Sequence, residues 1–320
     1  MSDTNSKQNP GWERELVEQL ASDALREKRR ARRWGIFFKF LGFAYLGVLL
    51  VLAMPDKFTM KTPEAGKGHT ALVEIDGVIS SSEGADADTI VEGLRDAFED
   101  KNTKAVIVRI NSPGGLPVQS SYIQKEILRL RELYPEIPVY AVVADVCASG
   151  GYYVAAAADR IYVNESSIVG SIGVLMNGFG FTEAMSELGV ERRLLTAGEY
   201  KGIMDPFSPM SKFERAHAQQ MLNELHETFI EVVKQGRGDK LSDDPELFSG
   251  LFWSGSRAIE LGLADEIGSA SYVAREVVGA EDIVDFTPQA DPLSRLADRL
   301  GASAAASFAR ITGFGGVPQL

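Results

Sequence analysis

The chain has 320 residues, 45% of them apolar and 24% charged, and a formal net charge of −12. That length holds one large α/β domain or two smaller ones, with enough apolar side chain for a core. Residues 1–40 carry nine Lys/Arg against six Asp/Glu (+3), which leaves 24 against 39 (−15) for the rest, and so acidic a body does not suit nucleic acid. The one cysteine, Cys147, excludes an intrachain disulfide and any multi-cysteine metal site.

In chain order, residues 1–33 form a basic arm and residues 34–54 an apolar run, WGIFFKFLGFAYLGVLLVLAM, with Lys39 as its one charge. Its length matches a helix crossing a bilayer core of about 30 Å. Arg26, Lys28, Arg29, Arg30, Arg32 and Arg33 crowd the preceding flank. The positive-inside rule then places residues 1–33 in the cytoplasm and those after the span outside it. The competing reading is a signal peptide cleaved near Val51-Leu52-Ala53. Against it, the apolar run is long for a signal peptide and a 33-residue polar arm precedes it. Residues 55–70, rich in Pro, Lys and Gly, read as a linker.

A domain over 71–285 follows. Thr70–Ile79 reads as a strand ending in a turn, and Thr89–Asp100 has helical spacing through Ile90, Leu94 and Phe98. Ala105–Ile110 is almost continuously apolar, as in a sheet buried on both faces. Ser120–Leu133 is amphipathic, Pro138–Val143 is the next strand, Tyr152–Ala158 is helical and Arg160–Val163 is a strand again. Strands alternating with helices at this spacing predict a parallel α/β sheet, with chemistry at the carboxyl ends of its strands. Ser211–Gln235 is an amphipathic helix, and residues 286–320, with the Ala-rich stretch 293–311, read as a weakly amphipathic tail.

Two glycine turns lie at such strand ends: Asn111-Ser112-Pro113-Gly114-Gly115 and Ala148-Ser149-Gly150-Gly151-Tyr152-Tyr153. A serine at a tight strand-to-helix junction is exposed as a nucleophile where glycines remove neighbouring bulk. The Gly150 N–H supplies one oxyanion donor and the Gly115 N–H a second, each typically worth about 2.7–4 kcal/mol in the transition state. None of the three histidines, His69, His217 and His226, is placed to complete a Ser-His-Asp triad. A lysine is then the candidate base, and Lys201 stands alone between turn residues in Gly198-Glu199-Tyr200-Lys201-Gly202. A free lysine titrates near pH ~10.4 and is charged at neutrality, so this role demands apolar burial. Tyr200, Ile203 and Met204 provide an apolar setting, Ser171 could accept a hydrogen bond from the neutral amine and orient it, and Asp205 is expected to point away, since a nearby carboxylate favours the ammonium.

Each signal has a blander reading. A Gly-Gly after serine is often only a turn, an isolated lysine is usually a solvated charge, and Cys147 is more often a small buried residue than a nucleophile. His217 and His226 read as surface or packing residues of the Ser211–Gln235 helix, and Asp76 and Asp145 as loop caps.

Four motifs in order and approximate register make the combination specific: Asn111–Gly115, Ala148–Tyr153, Val169-Gly170-Ser171-Ile172-Gly173-Val174 and Gly198–Gly202. The chain resembles the signal peptide peptidase A (protease IV) family over roughly residues 70–285, including Lys234–Gly238 and Trp253–Asp265. The resemblance implies a crotonase/Clp protease-like fold with parallel sheet and flanking helices, preceded by one transmembrane helix. It also implies a Ser-Lys dyad with Ser149 as nucleophile, Lys201 as base and Ser171 assisting, with Gly115 and Gly150 as oxyanion donors. Ring-shaped homo-oligomers at the outer face of the bacterial cytoplasmic membrane are implied too. Among short, single-repeat members this means sites that draw Ser149 and Lys201 from neighbouring copies.

The expected reaction is peptide-bond hydrolysis through an acyl-enzyme. Extended peptides pair near Leu116, Val118, Ile172 and Val174 by strand addition, and these apolar positions favour hydrophobic substrates such as signal peptide remnants. No metal or nucleotide cofactor is implied. Two other classes stay open: a crotonase-type acyl-CoA enzyme with the same oxyanion geometry, and a catalytically inactive, peptide-binding membrane scaffold.

Overall fold

The computed structural model describes residues 12–52, 67–81 and 85–288. The tail from 289 and most of the linker lie outside these residues, as does the end of the apolar run at Met54. The chain divides into two units, of which Pro63–Ala290 is one and the N-terminal helix belongs to the other.

That helix, α1 (Trp12–Leu52), runs without a break from the basic arm into the apolar run. Its aromatic side chains from Trp34 to Tyr45 are exposed, Phe40 and Phe43 each at 76%, and Trp34 stacks on Phe38 with ring centroids 5.6 Å apart. Among the described residues no helix is long and apolar enough to cross a membrane.

The second unit is built on a mixed sheet in the order β6-β5-β3-β2-β1-β8, with β4 and β7 branching from β3. β1 (His69–Asp76), β2 (Thr103–Ser112) and β3 (Val139–Ala148) pair in parallel through registers such as Val73↔Val108 and Val108↔Ala141. Their apolar runs are buried on both faces, which is why β2 shows no alternation in sequence. β8 (Ile283–Asp285) extends the sheet beside β1. β3 forks: β4 (Arg160–Val163) pairs with its first half at Tyr140–Val142, and β5 (Ile168–Gly170) with its last residues, Val146–Ala148. β7 (Glu266–Ile267) continues beyond β4. One edge departs from the expected parallel pattern, because β6 (Phe252–Ser254) returns antiparallel to β5.

Helices cover the sheet. α2 (Ala87–Glu99) starts where the Asp86 carboxylate accepts the Thr89 amide at 3.0 Å, and buries Ile90, Leu94 and Phe98. α3 (Pro117–Leu133) begins with proline, whose missing N–H costs nothing in a first turn, and buries Ile123, Ile127 and Leu130 on one stripe. Each such side chain contributes about 1.5–3 kcal/mol. α4 (Gly150–Ala155) is buried throughout and follows β3 directly. α5 (Thr182–Glu187) is a short exposed helix. α6 (Lys212–Arg237) opens on a reciprocal cap between Ser211 and Glu214. It docks through Phe229, whose ring lies 5.2 Å from that of Tyr153. Among the buried polar groups, Arg237 donates to Asp265 at 2.7 Å, with side chains only 1% and 9% exposed.

Candidate active site

The site lies where β1, β2 and β3 end. Asn111, at the end of β2, donates to the Asp76 carboxylate at 2.9 Å and accepts the Val146 amide at 3.3 Å, so one side chain ties three strand ends together. The chain then turns through Pro113-Gly114-Gly115. Its carbonyl at Gly114 accepts the Ile79 amide, and the Leu116 amide donates to the Ile79 carbonyl, both at 2.8 Å. This small parallel bridge uses up one side of the turn. The Gly115 N–H lies on the other side and has no partner among the described residues.

Ser149 sits between β3 and α4 at φ +51°, ψ −121°, a region that a side chain adopts only under constraint. Its amide donates to the Gly170 carbonyl at 2.8 Å, and its carbonyl accepts from Tyr153 at 3.0 Å. The Gly150 N–H, at the start of α4, has no partner among the described residues. A β-carbon on Gly150 would collide with the Ser120 hydroxyl and come within 3.2 Å of the Gly115 nitrogen. The two glycine turns are therefore in van der Waals contact, with two unpaired amides side by side.

Around them opens a cavity of about 950 Å³, lined by Ser149, Gly150, Gly115 and Ser171 and walled by apolar groups that include Leu116, Val118, Val174, Tyr153 and Phe229. Ser171 is also at φ +51°, with its amide donating to the Leu251 carbonyl at 2.7 Å. Of the positions expected to meet substrate, Leu116, Val118 and Val174 line this cavity. Ile172 does not: its side chain is 0% exposed and packs into the core, so it offers substrate no apolar contact. The Cys147 thiol is fully buried, and burial pushes its pKa well above the ordinary thiol range, which removes it as a nucleophile.

Lys201 is not brought to Ser149 within one chain. It lies exposed in the turn after Gly198, outside the cavity wall, so the burial that a lysine base demands is not provided by its own chain. Its neighbour Asp205 is engaged elsewhere: the Ser208 hydroxyl donates to it at 2.7 Å and Arg192 approaches to 3.3 Å, which together hold its carboxyl below the usual range. Tyr200 stacks on Phe213 at 4.4 Å. Over residues 175–213, the segment that includes this turn, many large apolar side chains are exposed, among them Leu175, which also lines the cavity, Phe179, Leu188 and, at 96% exposure, Leu195.

One cavity residue had no signal in the sequence beyond helical packing. His226, on α6, lines the cavity, and its Nε2 lies 3.1 Å from the Ile172 carbonyl oxygen. Nothing in residue spacing links a helix position to a carbonyl 54 residues earlier. Among the described residues, no group of three or more His, Cys, Asp and Glu side chains is arranged to hold a metal.

The model of peptidase family S49 matches residues 131–283, a span that contains Ser149, Ser171 and Lys201. An Enterococcus faecium protein named as a signal peptide peptidase SppA is 31% identical over 251 residues, 75% of this chain and 72% of that protein. The chain belongs to peptidase family S49. The chain is also 49% identical over 190 residues to a Brucella abortus protein named Na(+)/H(+) antiporter NhaA, covering 58% of this chain. The chain spans only 25% of the length of that relative. Protease 4 of Haemophilus influenzae is 34% identical over 203 residues, 62% of this chain and 32% of that protein. Among solved structures, the 1510-N membrane-bound stomatin-specific protease aligns with TM-score 0.43 and 16% identity, over 70% of this chain and 99% of that one.

Proposed function

We propose that this S49 protein is a membrane-anchored serine endopeptidase in which Ser149 attacks a peptide carbonyl held against the Gly115 and Gly150 amides. The observation that carries the reading is the junction itself. A serine at positive φ stands beside two unpaired backbone N–H groups in one apolar cavity. Donors fixed before the reaction stabilise the developing oxyanion without reorganising. Lys201, once neutral, takes the serine proton and later activates the water that hydrolyses the acyl-enzyme, with Ser171 orienting the amine.

Since Lys201 is exposed in its own chain, the base of each site comes from a neighbouring copy, and the exposed apolar side chains of the 175–213 segment that carries it form the contact. This reading makes the protein a homo-oligomeric ring. Residues 34–54 anchor it, supported by the basic flank and by outward-facing aromatic side chains on that part of α1. The catalytic unit then stands on the outer side of the cytoplasmic membrane, and apolar membrane peptides, including signal peptide remnants, are its substrates.

The test is labelling of the detergent-solubilised full chain with a fluorophosphonate, paired with cleavage of an Ala/Leu-rich peptide. Wild type labels and cleaves. Ser149→Ala does neither, and Lys201→Ala loses cleavage while keeping its melting temperature. A wild-type protein that neither labels nor cleaves, yet still binds the peptide, is a scaffold and ends the peptidase reading. Cleavage that survives both substitutions ends the dyad assignment.

A further inference from the structure

We propose that His226 is a positioning residue: by holding the Ile172 carbonyl, it sets the Ile172–Gly173 peptide so that the Gly173 N–H is presented to the main chain of a bound peptide. The inference rests on reading the cavity as a peptide site, and it assigns to that site a residue the Ser-Lys chemistry does not use. A carbonyl oxygen only accepts, so the 3.1 Å contact requires the proton of the imidazole to sit on Nε2. The peptide bonds described are all trans. In a trans peptide, C=O and N–H point in opposite directions, so a carbonyl fixed toward His226 fixes the next N–H away from it.

That N–H has no partner among the described residues, and Gly173 lines the cavity. The surrounding segment has little freedom. The Ser171 amide is tied to Leu251, the Ile172 side chain is locked in the core, and His226 closes the third side. α6 is itself anchored further on, one turn along through Phe229 against Tyr153 and two turns along through the buried Val233. An unpaired amide on the wall of an apolar groove is what an extended peptide uses when it adds as a strand, because main-chain pairing supplies affinity whatever the side chains. Without the imidazole, the peptide plane between residues 172 and 173 is free to rotate and the donor loses its aim.

The experiment measures binding of a fluorescein-labelled Ala/Leu peptide to full-length Ser149→Ala protein by anisotropy, so that binding is read without turnover. Adding His226→Leu, which keeps the volume and removes the donor, is expected to weaken binding about tenfold, the scale of one well-placed hydrogen bond. Adding His226→Gln, whose amide reaches about as far as Nε2, restores most of the affinity. In the Ser149-intact background, His226→Leu labels with fluorophosphonate at a rate within about twofold of wild type, and its defect lies in KM rather than kcat. Unchanged binding with His226→Leu overturns the inference, as does a Gln variant that binds as poorly as the Leu variant. Loss of labelling together with binding also overturns it, since that marks a collapsed site. If wild type never cleaves but binding still depends on His226, the peptidase reading fails and the positioning role stands. If wild type cleaves while His226→Leu binds normally, the reverse holds.

Discussion

The amide of Ser149 donates to the carbonyl of Gly170 at 2.8 Å, so the turn that carries the nucleophile is bonded to the strand end that leads into Ser171. Both serines sit at φ +51°, and neither conformation is stable by itself. Each is held because the other segment is in place.

Gly170 is the hinge of that relationship. It has φ +109°, and an added β-carbon would approach Trp253 to 3.0 Å and the Leu251 carbonyl to 3.2 Å. Gly170→Ala is expected to cost about 1–3 kcal/mol of stability through backbone strain. It should lower kcat for peptide cleavage more than tenfold, about 1.4 kcal/mol or more in the barrier, because the Ser149 amide loses its anchor. Chemical denaturation and steady-state kinetics on the same variant check both. A destabilised variant with unchanged kcat refutes the coupling.

Gly150 tests the oxyanion pair. Gly150→Ala pushes a methyl into the Ser120 hydroxyl and toward the Gly115 nitrogen, separating the two amides. The expected result is a fall in kcat of about 10²–10³, the loss typical of one oxyanion donor, with KM nearly unchanged. Combining it with Ser120→Gly removes the first collision but not the second. The double variant should therefore regain melting temperature without regaining kcat. Recovery of both together would place the defect in packing rather than in the donors.

Much of this was legible in the sequence because the sheet centre obeys a simple rule. The apolar runs of β1, β2 and β3 have no solvent side, so their continuity, together with the helical segments that separate them, marks them as parallel strands, and the glycine turns follow where the runs of β2 and β3 stop. Ser149, Gly115 and Gly150 could be named because turn chemistry is local. What was not legible depends on distant partners. Ile172 sits next to Ser171 and looks like a substrate contact, but it follows a residue at φ +51° past the end of β5, and its side chain is buried in the core. His226 has helical spacing suited to packing, and its role appears only when α6 is laid against residue 172. The three-residue strands β5 and β6 pair in a direction that no periodicity so short can encode.

The buried pair Arg237–Asp265 sets an acid limit on the fold. Burial alone would raise the Asp265 pKa, but hydrogen bonds from Arg237 and Lys240 outweigh it and lower the carboxyl to about 2. An unfolded aspartate titrates near pH ~3.9. A carboxyl whose folded value is the lower one stabilises the native state above the unfolded value, and the stabilisation fades as pH falls through the folded one. Melting temperature should therefore drop between about pH 4 and pH 2 in part through this residue. Asp265→Asn flattens that portion of the curve and costs about 3–5 kcal/mol at neutral pH, because it leaves Arg237 charged and buried. A pH series of thermal melts on both proteins decides it. An unaltered acid slope in the variant assigns the effect to other carboxylates, of which Glu126, held at about 2 by Arg129 and Arg95 against its own burial, is the first to examine.

The exposed position of Lys201 leads to a mixing experiment. Ser149→Ala chains keep an intact lysine and Lys201→Ala chains an intact serine, and each alone is expected to be inactive. If a site takes its serine from one copy and its lysine from the next, unfolding and reassembling the two in equal amounts creates native pairs wherever a Lys201→Ala chain receives its neighbour's lysine. Random assembly in a closed ring gives about a quarter of sites this arrangement, so about a quarter of wild-type kcat returns with an unchanged KM. Titrating the ratio should trace a curve that peaks at equal amounts and vanishes at either end. A dyad formed within one chain predicts no recovery at any ratio. In that case the loop carrying Lys201 must fold back over its own cavity, and the outward apolar surface around Leu195 would need a different partner.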